Sequence, residues 1–152
     1  YLVPFPAGGA PAPLLAGNAR STTARFSPDG RAIAFLSDES GSFEAYVQPY
    51  PGPGERVRVS SNGAVILRWP RQGRELLYLS RDGRLMSVPI RTSPTLEVGK
   101  PAPLFQLRGR GSWQDFDATP DGQRILAIEP QVVADELPLA VTVNWPQAFH
   151  VR

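Results

Sequence analysis

The chain contains no cysteine and only one histidine, one methionine and one lysine. The lack of cysteine excludes disulfides, thiolate zinc sites and a cysteine nucleophile. No apolar stretch approaches the ~18 residues of a membrane-spanning helix, so we expect no membrane insertion in this segment. The single histidine, His150, follows the last predicted strand, and no Gly-x-Ser-x-Gly motif accompanies it. We therefore expect no catalytic residues, no bound metal and no cofactor.

An excess of charge of one sign is also lacking. The 16 basic and 14 acidic residues are interspersed and give a net charge of only +2. The sequence has neither the basic block nor the basic stripe that marks nucleic-acid-binding proteins. We expect a solvated surface of mixed charge and no nucleic-acid partner.

Proline and glycine, in contrast, are abundant. The 152 residues include 17 prolines and 14 glycines, spread over the whole chain. Helix interiors tolerate neither residue, and short apolar runs punctuated by both are typical of strands. The sequence predicts an all-β protein.

Three segments of the sequence resemble one another and begin at Phe26, Trp69 and Ala118. Each contains a turn that ends in glycine and then an apolar run. They recur roughly every 45 residues, the period of a four-stranded propeller blade. Residues 1–6 and 46–51 match each other at the same period. The repeat predicts a β-propeller portion of about three four-stranded antiparallel blades.

Turns are predicted where glycine, often preceded by aspartate, separates two apolar runs, because glycine adopts positive φ without a Cβ clash. The residues assigned to these structural turns are Asp29, Gly30, Gly73, Asp82, Gly83, Asp121 and Gly122. The apolar runs 33–36, 76–79 and 125–128 follow the first turn of each unit without polar alternation. Such a pattern predicts second strands that are buried on both faces.

The chain is expected to be one propeller segment over residues 1–152. It divides into strands three and four of one blade, two full blades and a three-stranded last blade, with the ranges 1–17, 18–62, 63–108 and 109–152. About three blades leave two blade faces open, with apolar runs such as 33–36 and 125–128 on them. Because large apolar patches are rarely exposed in soluble monomers, we expect homo-oligomers through the open ends.

These residues resemble the TolB-like branch of the WD-type propeller repeats, whose motif is an aromatic residue, Ser-Pro-Asp-Gly, a basic residue and an apolar strand. Residues 26–31 match the motif in full and residues 119–123 match in part. Residues 69–74 keep the aromatic residue and the glycine but lose Ser-Pro-Asp, so their turn type stays open. The resemblance implies a fragment of a larger ring, for instance a six-bladed one.

A narrower resemblance involves residues 73–80, 83–90 and 141–145, which are similar to the C-terminal propeller of bacterial receptor-type serine/threonine kinases. It implies a non-catalytic interaction or sensor module attached to a signalling kinase, on the extracytoplasmic rather than the cytoplasmic side. The alternative is a propeller cap of a serine peptidase whose catalytic domain lies outside this segment. A third interpretation is an assembly in which two copies close a ring.

The segment between the second full blade and the last one is the candidate binding site. It combines arginine, glycine and an aromatic residue, a composition enriched at interaction hot spots. The binding candidates, for a protein or a small ligand, are Arg108, Arg110, Trp113, Gln114 and Asp115. A plain mobile loop is the alternative.

Two acidic segments, 115–117 and 37–42, could hold functional carboxylates, but each also has a structural interpretation. Asp115 and Asp117 flank Phe116 at strand spacing, so both carboxylates share a face and line a wet channel or accept hydrogen bonds from the neighbouring backbone. Residues 37–42 lack the alternating oxygen ligands of a calcium loop, and we expect a polar turn there.

Overall fold

The computed structural model describes residues 1–4, 9–15, 17–52, 54–70, 73–107, 115–129 and 140–142. Every regular element in these ranges is a β-strand, which confirms the predicted all-β class. In chain order the strands are β1 (Ser21–Phe26), β2 (Ala32–Ser37), β3 (Glu44–Pro49), β4 (Val57–Arg58), β5 (Ala64–Arg68), β6 (Glu75–Ser80), β7 (Arg84–Arg91), β8 (Glu97–Val98), β9 (Ala102–Gln106), β10 (Asp115–Ala118), β11 (Ile125–Glu129) and β12 (Ala140–Thr142).

The strands form three antiparallel sheets, and the strands of each sheet follow the order of the chain. Sheet 1 has the order β1-β2-β3-β4 and sheet 3 the order β10-β11-β12. Sheet 2 has the order β5-β6-β7-β8, with β9 also paired to β7. The first strands are neighbours, because β5 contacts both β1 and β10. Ahead of sheet 1, Leu2 and Ala12 form an antiparallel bridge within the range 1–17, where two strands are predicted.

Sheet 2 differs from the predicted four strands by the additional strand β8. In this sheet Val98 pairs with Ile90 near the end of β7, while β9 pairs with the beginning of β7. The long strand β7 therefore has two partners on one edge. A two-residue strand such as β8 carries too little hydrophobic pattern to be predicted from the sequence.

Sheets 1 and 2 pack face to face through their second strands. Ala34 and Leu36 of β2 belong to the same buried cluster as Leu76 and Tyr78 of β6. Trp69, just after β5, packs against this cluster. The alternation along each strand therefore sends every second side chain into the space between the two sheets.

The other face of β2 is covered as well. Ile33 and Phe35 are almost completely buried, and Leu14 and Leu15 pack against them. The prediction that run 33–36 forms an exposed open face is therefore wrong. The segment ahead of sheet 1 supplies enough apolar surface to cover it.

Sheets 2 and 3 repeat the arrangement of sheets 1 and 2. Leu77 and Leu79 of β6 share a buried cluster with Ile125 and Ala127 of β11. The opposite face of β11 is different, because its side chains Leu126 and Ile128 are 44% and 40% exposed. Among the described residues this face of sheet 3 is half-exposed, in agreement with the open end predicted at run 125–128 and in contrast to the burial on both faces predicted for the second strands.

The three glycine turns are equivalent, as predicted. Gly30, Gly73 and Gly122 have φ of 70°, 65° and 70° and join the first strand of each sheet to the second. Each glycine N–H donates to the carbonyl three residues earlier, at 2.9, 2.9 and 2.8 Å. At Gly73 the φ and the backbone hydrogen bond therefore match those of the other two glycines, although the sequence there lacks Ser-Pro-Asp.

The turns also contact one another between sheets. A Cβ added at Gly73 would lie 3.1 Å from Cδ of Pro28, and one added at Gly122 would lie 3.9 Å from Cβ of Pro70. A proline of one turn thus lies near the glycine of the next turn in both cases, although Pro28 is the second residue of its turn and Pro70 the first.

Three turns, at residues 27–30, 80–83 and 119–122, are each stabilised by a hydroxyl and an aspartate in the same way. Ser27 Oγ donates to Asp29 at 2.6 Å, Ser80 Oγ to Asp82 at 2.5 Å and Thr119 Oγ1 to Asp121 at 2.5 Å. In each case the hydroxyl oxygen also accepts a backbone N–H at the start of the following strand, at 2.9 to 3.0 Å. These hydroxyl bonds are the main reason why the pKa of each of the three carboxyl groups lies below its usual value.

Candidate binding groove

Charged side chains occupy equivalent positions on the first strands of the three sheets. Arg25, Arg68 and Asp117 each lie two residues before the first residue of the glycine turn. Arg25 and Arg68 share a further feature, because each donates from Nη1 to the carbonyl of the preceding residue, at 3.0 and 2.9 Å. The repeat thus places two cations and one carboxylate in a row across the neighbouring first strands.

A groove of about 190 Å³ lies beside β10, lined by Arg68, Asp115, Phe116, Asp117, Leu126 and Ile128. The register explains its composition, because Asp115 pairs with Ile128 and Asp117 pairs with Leu126. Directly opposed residues point to the same side of an antiparallel sheet, so these four side chains share the open face of sheet 3. The groove therefore combines two carboxylates and one guanidinium with an apolar surface.

Asp115 and Asp117 have different partners within the groove. Arg68 Nη2 donates to Asp115 Oδ1 at 2.9 Å, and the same oxygen accepts the Phe116 N–H at 2.7 Å. Asp117 Oδ1 accepts the Ala118 N–H at 2.9 Å. The predicted role of these carboxylates as acceptors for backbone donors is confirmed for both. In the part of the chain that the structure describes, Asp117 has no cationic partner.

Four of the five predicted binding residues, Arg108, Arg110, Trp113 and Gln114, lie outside the described residues. The fifth, Asp115, begins β10 and lies in the groove. In the sequence, Asp115 directly follows the segment 108–114 that contains the other four candidates. Sequence reasoning missed Arg68, although the alignment of Trp69 with Phe26 places Arg68 at the position of Arg25.

A second groove, of about 410 Å³, lies at β1. Its lining residues are Tyr1, Pro13, Leu14, Leu15, Ala19, Ser21, Thr22, Thr23 and Ala24. Most of β1 is exposed, including Arg25 and Phe26, the latter with 48% of its surface accessible. The first strand of sheet 1 thus has an open surface of its own.

Residues 37–42 contain a polar turn, as predicted. Gly41 N–H donates to the Asp38 carbonyl at 2.9 Å. The Asp38 carboxylate accepts two hydrogen bonds from Arg20, one from its backbone N–H and one from Nε, both at 2.8 Å. Hydrogen bonding to the Arg20 side chain is the main reason why the pKa of Asp38 is lowered. The described residues contain no group of three or more acidic or histidine side chains arranged to hold a metal ion.

A scan against models of protein families finds no match to the chain, and a search of curated proteins finds none either. Among the residues that the structure describes, no helix has the length and apolar composition needed to cross a membrane.

Proposed function

We propose that the chain is a non-catalytic interaction module, a portion of a TolB-like β-propeller that serves a bacterial signalling kinase as a sensor on the extracytoplasmic side. Three successive antiparallel sheets, each with a positive-φ glycine in the turn between its first and second strands, support this proposal. Units of this kind, packed face to face around neighbouring first strands, are what a propeller requires.

The interaction site of this module is the groove beside β10. The observation that carries this assignment is the exposed Asp117 carboxylate, which has no cationic partner in the described residues and lies beside the exposed side chains of Leu126 and Ile128. Exposed apolar side chains next to an available charge are typical of recognition surfaces. The groove fits a cationic side chain that is flanked by apolar ones.

Binding of a short peptide tests this assignment. The probe is an N-acetylated, C-amidated Leu-Arg-Leu peptide, and its Leu-Glu-Leu counterpart is the control. We expect saturable heat in calorimetric titrations of the whole chain with the arginine peptide and none with the glutamate peptide. Asp117→Asn should weaken binding of the arginine peptide by about tenfold or more, because the substitution removes the charge of the side chain and keeps its shape.

Equal binding of the two peptides, or binding unchanged by Asp117→Asn, would contradict the proposed groove.

The non-catalytic assignment has its own measurement. The purified chain should show no hydrolase or kinase turnover above a buffer control. Turnover that disappears in His150→Ala would show that a catalytic site exists.

A further inference from the structure

We propose that Asn62 is a site of spontaneous deamidation, and that the buried Glu44 carboxylate restrains the reaction while the chain is folded. The proposal concerns the connection between sheets 1 and 2 and does not depend on the groove beside β10. Three features of the described residues support it: the reactive dipeptide at Asn62, the hydrogen bonds of the Gly63 nitrogen, and the burial of Glu44 without a cation.

The first feature is the Asn62-Gly63 dipeptide, the only Asn-Gly pair in the sequence. An asparagine side chain is attacked by the backbone nitrogen of the residue that follows it, and glycine favours this attack because it has no Cβ to hinder the approach. Asn62 is exposed, in the connection 59–63 between β4 and β5. The chemistry that deamidation needs is therefore present at the surface.

The reaction needs only water as a second reactant. The Gly63 nitrogen loses its proton and bonds to Cγ of Asn62, the Cγ–Nδ2 bond breaks, and ammonia leaves with that proton. Water then opens the five-membered succinimide at either carbonyl, which gives aspartate or isoaspartate. Both products carry a new carboxylate, and isoaspartate also lengthens the backbone by one atom.

The second feature is the bonding of the Gly63 nitrogen. Its N–H donates to both carboxylate oxygens of Glu44, at 3.0 and 3.1 Å. The next nitrogen, that of Ala64, donates to the Phe43 carbonyl at 2.8 Å. The attack on Asn62 requires the Gly63 nitrogen to give up its proton, and both bonds to Glu44 would be lost with it. Hydrogen bonds to a charged acceptor are the stronger ones, so the fold keeps this nitrogen in its unreactive form.

The third feature is the environment of the Glu44 carboxylate. Glu44 is only 3% exposed and belongs to none of the ion pairs among the described residues. Its partners are the hydroxyls of Ser60 and Ser42 and the Gly63 N–H. Deprotonation of the Gly63 nitrogen would place a second negative charge beside this carboxylate, in a buried site where like charges repel strongly. Glu44 therefore raises the barrier to the reaction.

Three Asp-Gly pairs, at residues 29–30, 82–83 and 121–122, show what is particular to Asn62. In these pairs the glycine N–H donates to a backbone carbonyl, at 2.9, 3.0 and 2.8 Å. The side chain ahead of the glycine is a carboxylate, which is a much poorer target for a nucleophile than an amide. Of the four pairs, only Asn62-Gly63 combines a reactive amide with a nitrogen that is held by a charged side chain.

Deamidation would affect the junction of sheets 1 and 2. The Val59 N–H donates to the Ala45 carbonyl at 2.7 Å, and the Ala45 N–H donates to Ser60 Oγ at 2.8 Å. The connection 59–63 is thus bonded to β3 before it continues into β5. A new carboxylate near Glu44 and an additional backbone atom disturb these bonds. The product therefore has a looser junction, and it accumulates in molecules whose junction has opened.

Peptide mapping by mass spectrometry tests the proposal, because the tryptic peptide of residues 59–68 contains Asn62 as its only amide side chain. The native whole chain, the chain unfolded in urea and the synthetic peptide 59–68 are incubated at mildly alkaline pH. We expect Asn62 to react at least about tenfold more slowly in the native chain than in the other two samples. Asn18, which is exposed and precedes Ala19, is the internal control and should react at a similar rate in the folded and the unfolded chain.

Glu44→Gln separates the charge from the fold. The substitution keeps an oxygen that can accept the Gly63 N–H and removes the negative charge, so Asn62 should react about tenfold faster than in the native chain. Ser42→Ala is the matched control, since it removes only a hydrogen bond of 3.4 Å to Glu44 and keeps the charge. That control should leave the rate unchanged. Circular dichroism checks that both variants are folded.

A measurement on the native chain decides the matter if Glu44→Gln does not fold. Base-catalysed hydrogen exchange removes the same proton from the Gly63 nitrogen, so this N–H should exchange at least about tenfold more slowly in the native chain than in the synthetic peptide. Exchange at the rate of the peptide would refute the restraint.

Three further results would overturn the proposal. One is a native chain in which Asn62 reacts at the rate of the synthetic peptide, which would show that the bonds to Glu44 do not restrain it. Another is a native chain that reacts faster than the peptide, because Glu44 would then accept the proton and promote the reaction. The third is an unchanged rate in folded Glu44→Gln, which would assign the restraint to the backbone alone.

Discussion

Ser27→Ala removes a hydroxyl that the start of β2 depends on. Ser27 Oγ accepts the Ala32 N–H at 2.9 Å and donates to Asp29 at 2.6 Å. Ala32 has no exposed surface, and its carbonyl also points toward Ser27, whose N–H it accepts at 2.8 Å. In the variant the Ala32 N–H loses its acceptor, and because it is buried, water cannot take the place of the hydroxyl.

The expected loss follows from this burial. An unsatisfied buried N–H costs about 1–3 kcal/mol, so Ser27→Ala should lower the free energy of unfolding by about 2 kcal/mol. Ser80→Ala is the matched control, since Ser80 makes the same contacts to Asp82 and to the N–H of Arg84. Arg84 is an exposed residue, and water can solvate its N–H. That control should lose only about 1 kcal/mol or less, the net worth of an ordinary hydrogen bond.

Urea denaturation followed by circular dichroism measures both losses. With a slope of about 2 kcal/mol per molar urea, Ser27→Ala should move the midpoint down by about 1 M and Ser80→Ala by about half of that or less. Equal shifts for the two variants would refute the reasoning, because burial of the N–H would then not decide the cost. A changed slope would indicate altered compactness and would require hydrogen exchange at Ala32 instead.

Two further predictions concern the turns. Gly30→Ala should cost about 1–2 kcal/mol for its positive φ alone, since no atom lies within 4 Å of the added Cβ. Gly73→Ala should cost about 1 kcal/mol more, because its Cβ meets Pro28 at 3.1 Å; equal midpoints in urea would show that the turns do not press on each other. Stability should also fall on acidification. The folded pKa of Asp29 is lowered, first by the Ser27 hydroxyl and then by Thr92, so its contribution is fully present above the unfolded pKa of about 3.9 and is lost as the pH falls through the folded value. Asp29→Asn should therefore lose less stability than the native chain between pH 6 and pH 3, and an identical loss would argue against the effect.

Several features could be predicted from the sequence because they depend on local chemistry. A glycine after an Asp or an equivalent polar residue predicts a turn in which the glycine has positive φ. The structure has this conformation at Gly30, Gly73 and Gly122. Consecutive apolar residues specify second strands with both faces covered, which holds for β2 and β6. The carboxylates of Asp115 and Asp117 could be placed on one face because strand alternation alone decides it.

Other features could not be predicted, since they depend on distant parts of the chain. The Arg68–Asp115 pair joins residues on two different sheets, and no local pattern identifies it. The cover over Ile33 and Phe35 comes from Leu14 and Leu15; the sequence predicts strands in the range 1–17, but not that this segment covers the outer face of β2. The short strand β8 exists because β7 is long enough to pair with two partners.

By itself the sequence determined the class, the period and the turns, because these depend on backbone preferences and on the alternation of side chains within a few residues. Only the tertiary structure decided which apolar faces are covered. Leu36 and Ile128 are equivalent in the repeat, yet one is 3% exposed and the other 40%. The difference arises because Leu36 is covered by sheet 2, while no described residue covers Ile128. Whether a residue is buried depends on the surface that packs against it and not on the residue itself, so burial follows from the packing of the sheets.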